Sequence, residues 1–304
     1  MFNGILPVWK EKGMTSHDVV FKLRRILKMK KIGHTGTLDP EVEGVLLVCL
    51  GQATKLVEFL MDGEKIYQGE ITLGYSTETE DAHGEIVEEK PVMAPISDEV
   101  IDEAMAEFKG DITQIPPYYS AVKVNGRRLY EYARAGETVE RPRRIARIDY
   151  FERTNEPVYD SEKQQQKWQF EVKCGKGTYV RTLAVDLGTK LGYPSHMSQL
   201  TRMATGGVSA DQTLRLAEIQ EKMDNHTIED ILLPIESGLT QFPQLAMTGS
   251  QFEDVKNGKV LAANYFGSVL AEPTVLTLEG KVKAIYQPHP TQADLIKPQK
   301  MFLS

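Results

Sequence analysis

The sequence GHTGTLDPEVEGVLLVCLGQATK, residues 33–55, is the most informative part of the chain because it joins a polar loop to an apolar run. Its first half is rich in Gly, Thr, Asp and Pro, a composition that predicts a loop. The run VLLVCL at residues 45–50 is continuous, apolar and of strand length, which predicts a buried strand. Asp39 precedes Pro40, and proline disfavours helical geometry for the residue before it. We therefore predict that Asp39 lies on an extended loop beside the core.

A basic helix is predicted before this loop. Thr15 and Asp18 form a capping-box pattern and apolar residues follow at helical spacing, so we expect a helix over residues 16–29. Further along, YQGEITL at residues 67–73 alternates between polar and apolar side chains, which predicts a strand. Strands recur between isolated helices without strict βαβ alternation. This order favours an α+β fold with a mixed, mainly antiparallel sheet flanked by helices.

The C-terminal part of the chain has a different pattern. A chain of 304 residues is long enough for one large domain and one small domain. Beyond about residue 240, short strand candidates occur at residues 268–271, 274–278 and 281–286. We therefore predict two domains, residues 1–238 and 239–304, of which the second is small and β-rich.

Composition and missing motifs exclude several classes of protein. The sequence has no apolar run of about 18 residues and no signal-peptide pattern, so we expect a cytoplasmic protein with no membrane partner. Its two cysteines, Cys49 and Cys174, are far apart and are expected to be reduced thiols. No Walker A, GxGxxG, GxSxG or HExxH motif is present, which disfavours nucleotide, serine-hydrolase and metal chemistry. We expect no cofactor and no metal.

Charge is unevenly distributed along the chain. The formal net charge is −7, yet residues 22–31 hold six basic residues and no acidic one. Residues 127–147 hold seven arginines against three glutamates, whereas residues 62–110 hold fourteen acidic residues against three lysines. Because phosphate contacts are local, an acidic protein can bind a polyanion when its bases share one face. The alternative is that these runs are merely solvated faces.

Asp39 has several possible roles. A carboxylate on a glycine-rich loop can attack an anomeric carbon, act as a general base or bind a metal ion. The alternative is a turn-forming residue that accepts hydrogen bonds from its own backbone. The loop by itself leaves these roles open.

Several segments together resemble one family. Segment 33–55 strongly resembles the active-site motif of the TruB family, the tRNA pseudouridine synthases that isomerise a uridine in the T loop. Further segments resemble motifs of that family in the same order: KGMTSHD at 12–18, KIY at 65–67, PYYSAVK at 117–123, GRRLYE at 126–131 and GKGTYVRTL at 175–183. One departure is that Glu11 follows Lys10, where the family commonly has proline.

The resemblance implies the catalytic residues. It makes Asp39 the catalytic carboxylate and Arg181 its ion-pair partner, since a buried guanidinium keeps a carboxylate ionised and oriented. Tyr67 matches the tyrosine that packs on the flipped base, and His34 matches the histidine that fills the space left by that base. Whether Asp39 attacks the sugar or the uracil ring stays open, although a carboxylate suits an oxocarbenium-like sugar.

The resemblance also implies how RNA is bound. Tyr179 and Leu200 match positions that contact the target uridine, and Lys55 is expected to support the strand–helix corner or a phosphate. Charge and stacking surface for RNA are expected from Arg127, Arg128, Tyr130, Tyr132, Arg134, Arg141, Arg143 and Arg144. The expected partner is the T stem-loop of tRNA, bound by a monomer without a small-molecule cofactor. Residues 239–304 occupy the position of the family's PUA-type RNA-binding domain.

The residues leave two other functions open. An RNA-binding module without catalysis explains the arginines but not the combination of Asp39 with Arg181. A nucleoside or glycoside hydrolase that uses Asp39 would ordinarily need a second carboxylic acid, and the motif segments offer none at a recognisable place.

Overall fold

The computed structural model describes residues 2–303 of the chain. Its strands are β1 (Gly4–Lys10), β2 (Ile32–His34), β3 (Glu43–Leu50), β4 (Lys65–Leu73), β5 (Tyr75–Thr77), β6 (Ile86–Glu89), β7 (Gly110–Gln114), β8 (Lys123–Val124), β9 (Arg127–Arg128), β10 (Arg144–Arg153), β11 (Val158–Asp160), β12 (Gln165–Cys174), β13 (Ser195–Thr205), β14 (Val208–Ser209), β15 (Gln244–Ala246), β16 (Leu261–Ala262), β17 (Thr274–Leu278), β18 (Lys281–Pro288) and β19 (Leu295–Met301). Its α-helices are α1 (Ser16–Ile26), α2 (Val57–Met61), α3 (Asp98–Ala106), α4 (Leu129–Ala135), α5 (Val180–Leu191), α6 (Leu216–Asp224) and α7 (Gly249–Val255). Short 3₁₀ helices cover Gly51–Leu56, Ala210–Gln212, Ile228–Ile231 and Ile235–Leu239. None of the helices described is long and apolar enough to cross a membrane.

A mixed sheet of ten strands forms the larger part of the molecule, with the main order β1-β3-β13-β4-β12-β10-β7. Strands β2, β11 and β14 pair with β3, β12 and β13 beside this path. All of these pairings are antiparallel except that of β3 with β13. The prediction of an α+β fold with a mixed, mainly antiparallel sheet flanked by helices is therefore confirmed.

Helix α1 begins where its capping box predicts. The Thr15 hydroxyl accepts a hydrogen bond from the Asp18 backbone N–H at 3.0 Å, and the Asp18 carboxylate accepts one from the Thr15 N–H at 2.8 Å. Its apolar face packs against β1 and β3, so its basic residues remain on the outside. The helix ends at Ile26, earlier than predicted, because Lys28 has a positive φ of 51° that no α-helix can continue through.

The Asp39 loop, residues 35–42, lies at the edge of the largest apolar cluster. Helices α3 and α5 cover the central strands of the large sheet on this side. Leu38 and Val42 of the loop are buried in the same cluster. Because Leu38 and Val42 anchor the loop on both sides of Asp39, the carboxylate is held close to the start of α5.

A second sheet of five strands, in the order β15-β17-β18-β19-β16, forms the β-rich C-terminal part. It has an apolar cluster of its own with α7, and it also packs Val275, Val282 and Ile285 into the cluster that contains Leu56 and Leu60. The predicted hairpin of β17 and β18 is present, but residues 268–271 form no strand. A domain division after residue 238 stays a prediction.

Candidate active site

The Asp39 loop is fixed by hydrogen bonds on both sides of the carboxylate. The Leu38 backbone N–H donates to the Ser16 hydroxyl at 2.9 Å, and the Val42 N–H donates to the Asp39 carbonyl at 3.0 Å. The second bond closes a β-turn in which Pro40 takes the position that proline favours. The Asp39 side chain is 44% exposed, so a substrate can reach it from solvent.

Arg181 faces Asp39 from the first turn of α5. The distance between Arg181 Nη2 and Asp39 Oδ2 is 3.2 Å, and the arginine side chain is only 9% exposed. Its Nη1 donates to the Thr79 carbonyl at 2.8 Å, and its Nη2 donates to the Tyr119 carbonyl at 2.9 Å. Two backbone carbonyls therefore hold the guanidinium in place beside the Asp39 carboxylate.

Tyr67 is a buried side chain on β4, in the cluster that also contains Leu38. Burial raises the pKa of its phenol above the ordinary value, while the Arg202 cation acts in the opposite direction. The phenol is therefore neutral at physiological pH and can donate a hydrogen bond.

Three further predicted site residues lie on β2, on β13 and at the start of α5: His34, Leu200 and Tyr179. His34 ends β2, and its Nδ1 accepts a hydrogen bond from the Gly36 N–H at 3.4 Å. Burial lowers the pKa of His34, so its ring is neutral at pH 7. Leu200 is buried on β13 and pairs with Gly69 of β4. Tyr179 caps α5, and burial raises the pKa of its phenol.

The remaining predicted residues lie in two other environments. Lys55 donates a hydrogen bond from Nζ to the Met301 carbonyl, so its ammonium joins the large sheet's corner to the C-terminal sheet. Arg141 donates to the Pro116 carbonyl at 3.0 Å and lies 4.4 Å above the centre of the Tyr118 ring. Arg143 is exposed and makes no ion pair or hydrogen bond within residues 2–303.

Arg141 and Arg143 belong to a surface segment that we call the arginine-rich arm, residues 117–147. It contains the β8–β9 hairpin, whose turn residues Asn125 and Gly126 have the positive φ values that such a turn requires. Arginines in the arm stack on tyrosines: Arg127 lies 4.3 Å from the Tyr132 ring centre. The arm thus keeps aromatic and cationic groups side by side at the surface.

The sequence did not point to several groups that support the site. Lys10 is buried, and its Nζ donates to the carbonyls of Val42 at 2.7 Å and Pro40 at 3.2 Å, with burial lowering its pKa to about 8. Glu80 accepts a hydrogen bond from the Thr182 hydroxyl at 2.7 Å, and burial raises its pKa. A lysine in the otherwise apolar strand β1 was a usable signal. The carbonyls that hold Arg181 give no sequence signal, because every residue has one.

The arrangement as a whole offers a half-exposed carboxylate beside a fixed cation, with buried aromatic and aliphatic residues next to it. Such a carboxylate can attack an electrophilic carbon or stabilise positive charge that develops on a sugar. Within residues 2–303, no three His, Cys, Asp or Glu side chains converge closely enough to hold a metal ion.

Comparison with known proteins gives consistent matches over nearly the whole chain. Residues 24–180 match the TruB family pseudouridylate synthase N-terminal domain, and residues 181–240 match the tRNA pseudouridylate synthase B C-terminal domain. The tRNA pseudouridine synthase B of Listeria innocua is 52% identical over 302 residues, covering 98% of both chains. That of Latilactobacillus sakei is 50% identical over 301 residues, covering 99% of this chain and 98% of its own.

Among solved structures, a chain from a Cbf5-Nop10-Gar1 complex superposes with a TM-score of 0.74 at 24% identity, covering 99% of this chain and 85% of its own. That likeness supports the fold. The sequence matches support the family as well, because the relatives share about half of their residues with this chain over 98–99% of its length. The chain belongs to the TruB family, the tRNA pseudouridine synthases that isomerise uridine to pseudouridine.

Proposed function

We propose that this enzyme acts on the uridine of the tRNA T loop and that Asp39 is its catalytic carboxylate. The observation that carries the proposal is the pair formed by a half-exposed Asp39 and a buried Arg181 at 3.2 Å. A carboxylate that is held by a fixed guanidinium and open to solvent suits a reaction at the sugar of an RNA nucleotide. The named activity of the relatives from Listeria and Latilactobacillus agrees with this substrate class.

The reaction breaks the bond between C1′ and N1, rotates the uracil and joins C1′ to C5, while C5 loses its proton and N1 gains one. No group enters or leaves, so the protein has to stabilise charge and hold the free base. Asp39 supplies negative charge where the ribose becomes electron-poor. Arg181 fixes the direction of that carboxylate, because the position of its guanidinium is set by the Thr79 and Tyr119 carbonyls.

The buried groups beside Asp39 are proposed to receive the flipped base. Extrusion of a nucleotide from a folded loop costs a few kcal/mol in lost stacking, which pocket contacts have to offset. Tyr67 supplies an aromatic face for the uracil, and Leu200 and Tyr179 close the pocket around the target uridine. His34 is neutral, so it can fill the space that the base leaves in the RNA without the cost of burying a charge.

The arginine-rich arm is proposed to hold the T stem-loop. Exposed arginines such as Arg143 bind phosphates, whereas Arg141 is already held by Pro116 and Tyr118 and so presents a fixed charge. RNA with tertiary shape is bound mainly through its backbone and through stacking. Both kinds of contact are available in the arm. The basic outer face of α1 is a second surface of this kind.

The test is incubation of the purified protein with an unmodified tRNA transcript, followed by mapping of pseudouridine through carbodiimide-dependent reverse-transcription stops. We expect one stop in the T loop. Release of free uracil would instead identify a hydrolase. Tight binding without any turnover would identify an RNA-binding module.

We further propose that the enzyme works as a monomer in the cytoplasm, with a domain division near residue 238. Asp39, Arg181 and Tyr67 come together within one chain, so catalysis needs no second copy. Cys49 and Cys174 are buried free thiols, which fits a reducing compartment. Sedimentation of the protein alone and with tRNA tests the monomer directly.

A further inference from the structure

Four lysine and arginine side chains are buried among residues 2–303: Lys10, Lys65, Arg181 and Arg202. Of these, Arg181 alone has a carboxylate within 4 Å in the described part of the chain. Arg202, on β13, is only 1% exposed and so carries a charge that water does not solvate. Burying such a charge costs free energy unless it is hydrogen-bonded. The groups that Arg202 binds therefore indicate its structural role.

Arg202 binds the backbone on both sides of Asp39. Its Nε donates to the Val45 carbonyl at 2.7 Å, and its Nη2 lies 3.4 Å from the Gly36 carbonyl. Gly36 precedes Asp39 on the loop, and Val45 follows it on β3. One rigid guanidinium therefore fixes both ends of the segment that carries the carboxylate.

The strand pairing brings the same arginine to Tyr67. Arg202 is the direct antiparallel partner of Tyr67 across β13 and β4, so both side chains lie on one face of the sheet. The Arg202 cation also opposes the effect of burial on the pKa of the Tyr67 phenol. Its donors therefore bind the segment that carries Asp39, while its charge acts on the tyrosine.

Gly44 makes this arrangement possible. It is the parallel partner of Arg202 on β3 and has a φ of +127°. A Cβ at residue 44 would lie 2.3 Å from the Arg202 carbonyl oxygen and 2.6 Å from its nitrogen. The close approach of the two backbones places Arg202 directly behind the loop.

We infer that Arg202 is a positioning residue of the pseudouridine reaction, which sets the Tyr67 phenol and the Asp39 carboxylate at a fixed separation across the flipped uridine. The inference rests on the proposed role of Tyr67 at the base. In this role, the buried Arg202 side chain fixes the position of Tyr67, which holds the uracil, relative to Asp39, which acts on the sugar. Misplacement of reacting groups by about 1 Å can cost about a hundredfold in rate.

The test is a double-mutant cycle of Arg202→Met and Tyr67→Phe in single-turnover isomerisation, with filter binding and thermal melting of each variant. We expect Arg202→Met to lower the rate about a hundredfold, while RNA affinity changes by less than about threefold. In the Tyr67→Phe background the same substitution should cost less than about threefold, because residues that act together are not additive. Arg202→Lys keeps the charge without the planar fork and should recover part of the rate.

The control is Arg153→Met, which removes another largely buried arginine of the same sheet, one that pairs with Asp98 and Asp102 away from the site. Its rate should stay at the parent level. Full additivity of Arg202→Met with Tyr67→Phe would overturn the positioning role and leave the proposed function standing. A Tyr67→Phe variant that keeps the parent rate would instead overturn the proposed role of Tyr67. If Arg202→Met does not fold, the cycle of Arg202→Lys with Tyr67→Phe decides the same question.

Discussion

The Asp39 loop and the arginine-rich arm differ in how their side chains are held: the loop is fixed by buried groups, whereas the arm keeps its arginines at the surface. The loop is fixed from beneath by Ser16, Lys10 and Arg202, all of them buried. The arm holds its arginines at the surface, where Arg141 and Arg127 stack on tyrosine rings. One region uses burial to fix a single carboxylate, whereas the other leaves many charges within reach of a large ligand.

With the roles proposed above, the difference separates chemistry from binding within one chain. A reacting carboxylate needs a fixed position, and buried hydrogen bonds supply it. Phosphate contacts tolerate small movements, because charge attracts charge over several ångströms. Substitutions in the Asp39 loop should therefore lower the isomerisation rate and leave RNA affinity unchanged. Substitutions in the arm should lower RNA affinity and leave the rate of the bound complex unchanged.

The largest effect is expected from Asp39→Asn. The amide keeps the size of the side chain but removes its negative charge, so turnover should fall below detection while RNA affinity stays within about tenfold. Single-turnover isomerisation and filter binding measure the two quantities. The control is Glu41→Gln on the same loop, which does not face Arg181 and should stay active. A rate of a few per cent of the parent in Asp39→Asn would remove Asp39 from the chemistry.

Arg181→Lys should have the next largest effect. The charge survives, but one ammonium cannot bind the Thr79 carbonyl, the Tyr119 carbonyl and Asp39 with the geometry of a planar guanidinium. We expect the rate to fall about 10²- to 10³-fold and remain measurable, with RNA binding largely unchanged. Equal losses of rate and affinity would place Arg181 in RNA binding instead.

In the arm, Arg143→Ala with Arg144→Ala should weaken binding without slowing the bound complex. The slope of log affinity against log salt should decrease by about one for each phosphate contact that is lost. Titrations at several salt concentrations give the slope, and single-turnover rates at saturating enzyme give the chemistry. Lys163→Ala, which removes an exposed charge from the β11–β12 turn, is the matched control. An unchanged slope in the double variant would move the RNA surface away from the arm.

The smallest effect is expected from Lys55→Met. The substitution removes the hydrogen bond to the Met301 carbonyl, so the free energy of unfolding should fall by about 1 kcal/mol. The isomerisation rate and RNA affinity should stay within about twofold of the parent. Denaturant unfolding and filter binding separate the outcomes. A large loss of affinity at unchanged stability would return Lys55 to the RNA-binding surface.

The sequence predicted an element well where the residues that determine it lie next to one another in the chain. The capping box of α1 and the apolar run of β3 each form from neighbouring residues, and each is present. The resemblance to the TruB family supplied Asp39 and Arg181 as partners, and the fold brings them to 3.2 Å. Periodicity and composition alone left the role of Asp39 open.

What the sequence missed depends on contacts between distant segments. In the sequence, Arg202 is indistinguishable from the other residues of an alternating strand. Only the parallel pairing of β3 with β13 places it behind the Asp39 loop. The partner of Lys55 was likewise hidden, because the Met301 carbonyl is 246 residues away in the chain. Backbone carbonyls as partners leave no mark in the side-chain pattern.

The bond from Arg202 to the Val45 carbonyl spans 157 residues, and this distance has a consequence during synthesis. While the ribosome extends the chain, the loop with Asp39 emerges early and β13 emerges much later. Until Arg202 has left the exit tunnel, the nascent chain has no guanidinium to fix the loop from behind. If Arg202 has the positioning role inferred above, a half-made polypeptide carries Asp39 without the geometry to use it, and catalytic competence arises late in translation.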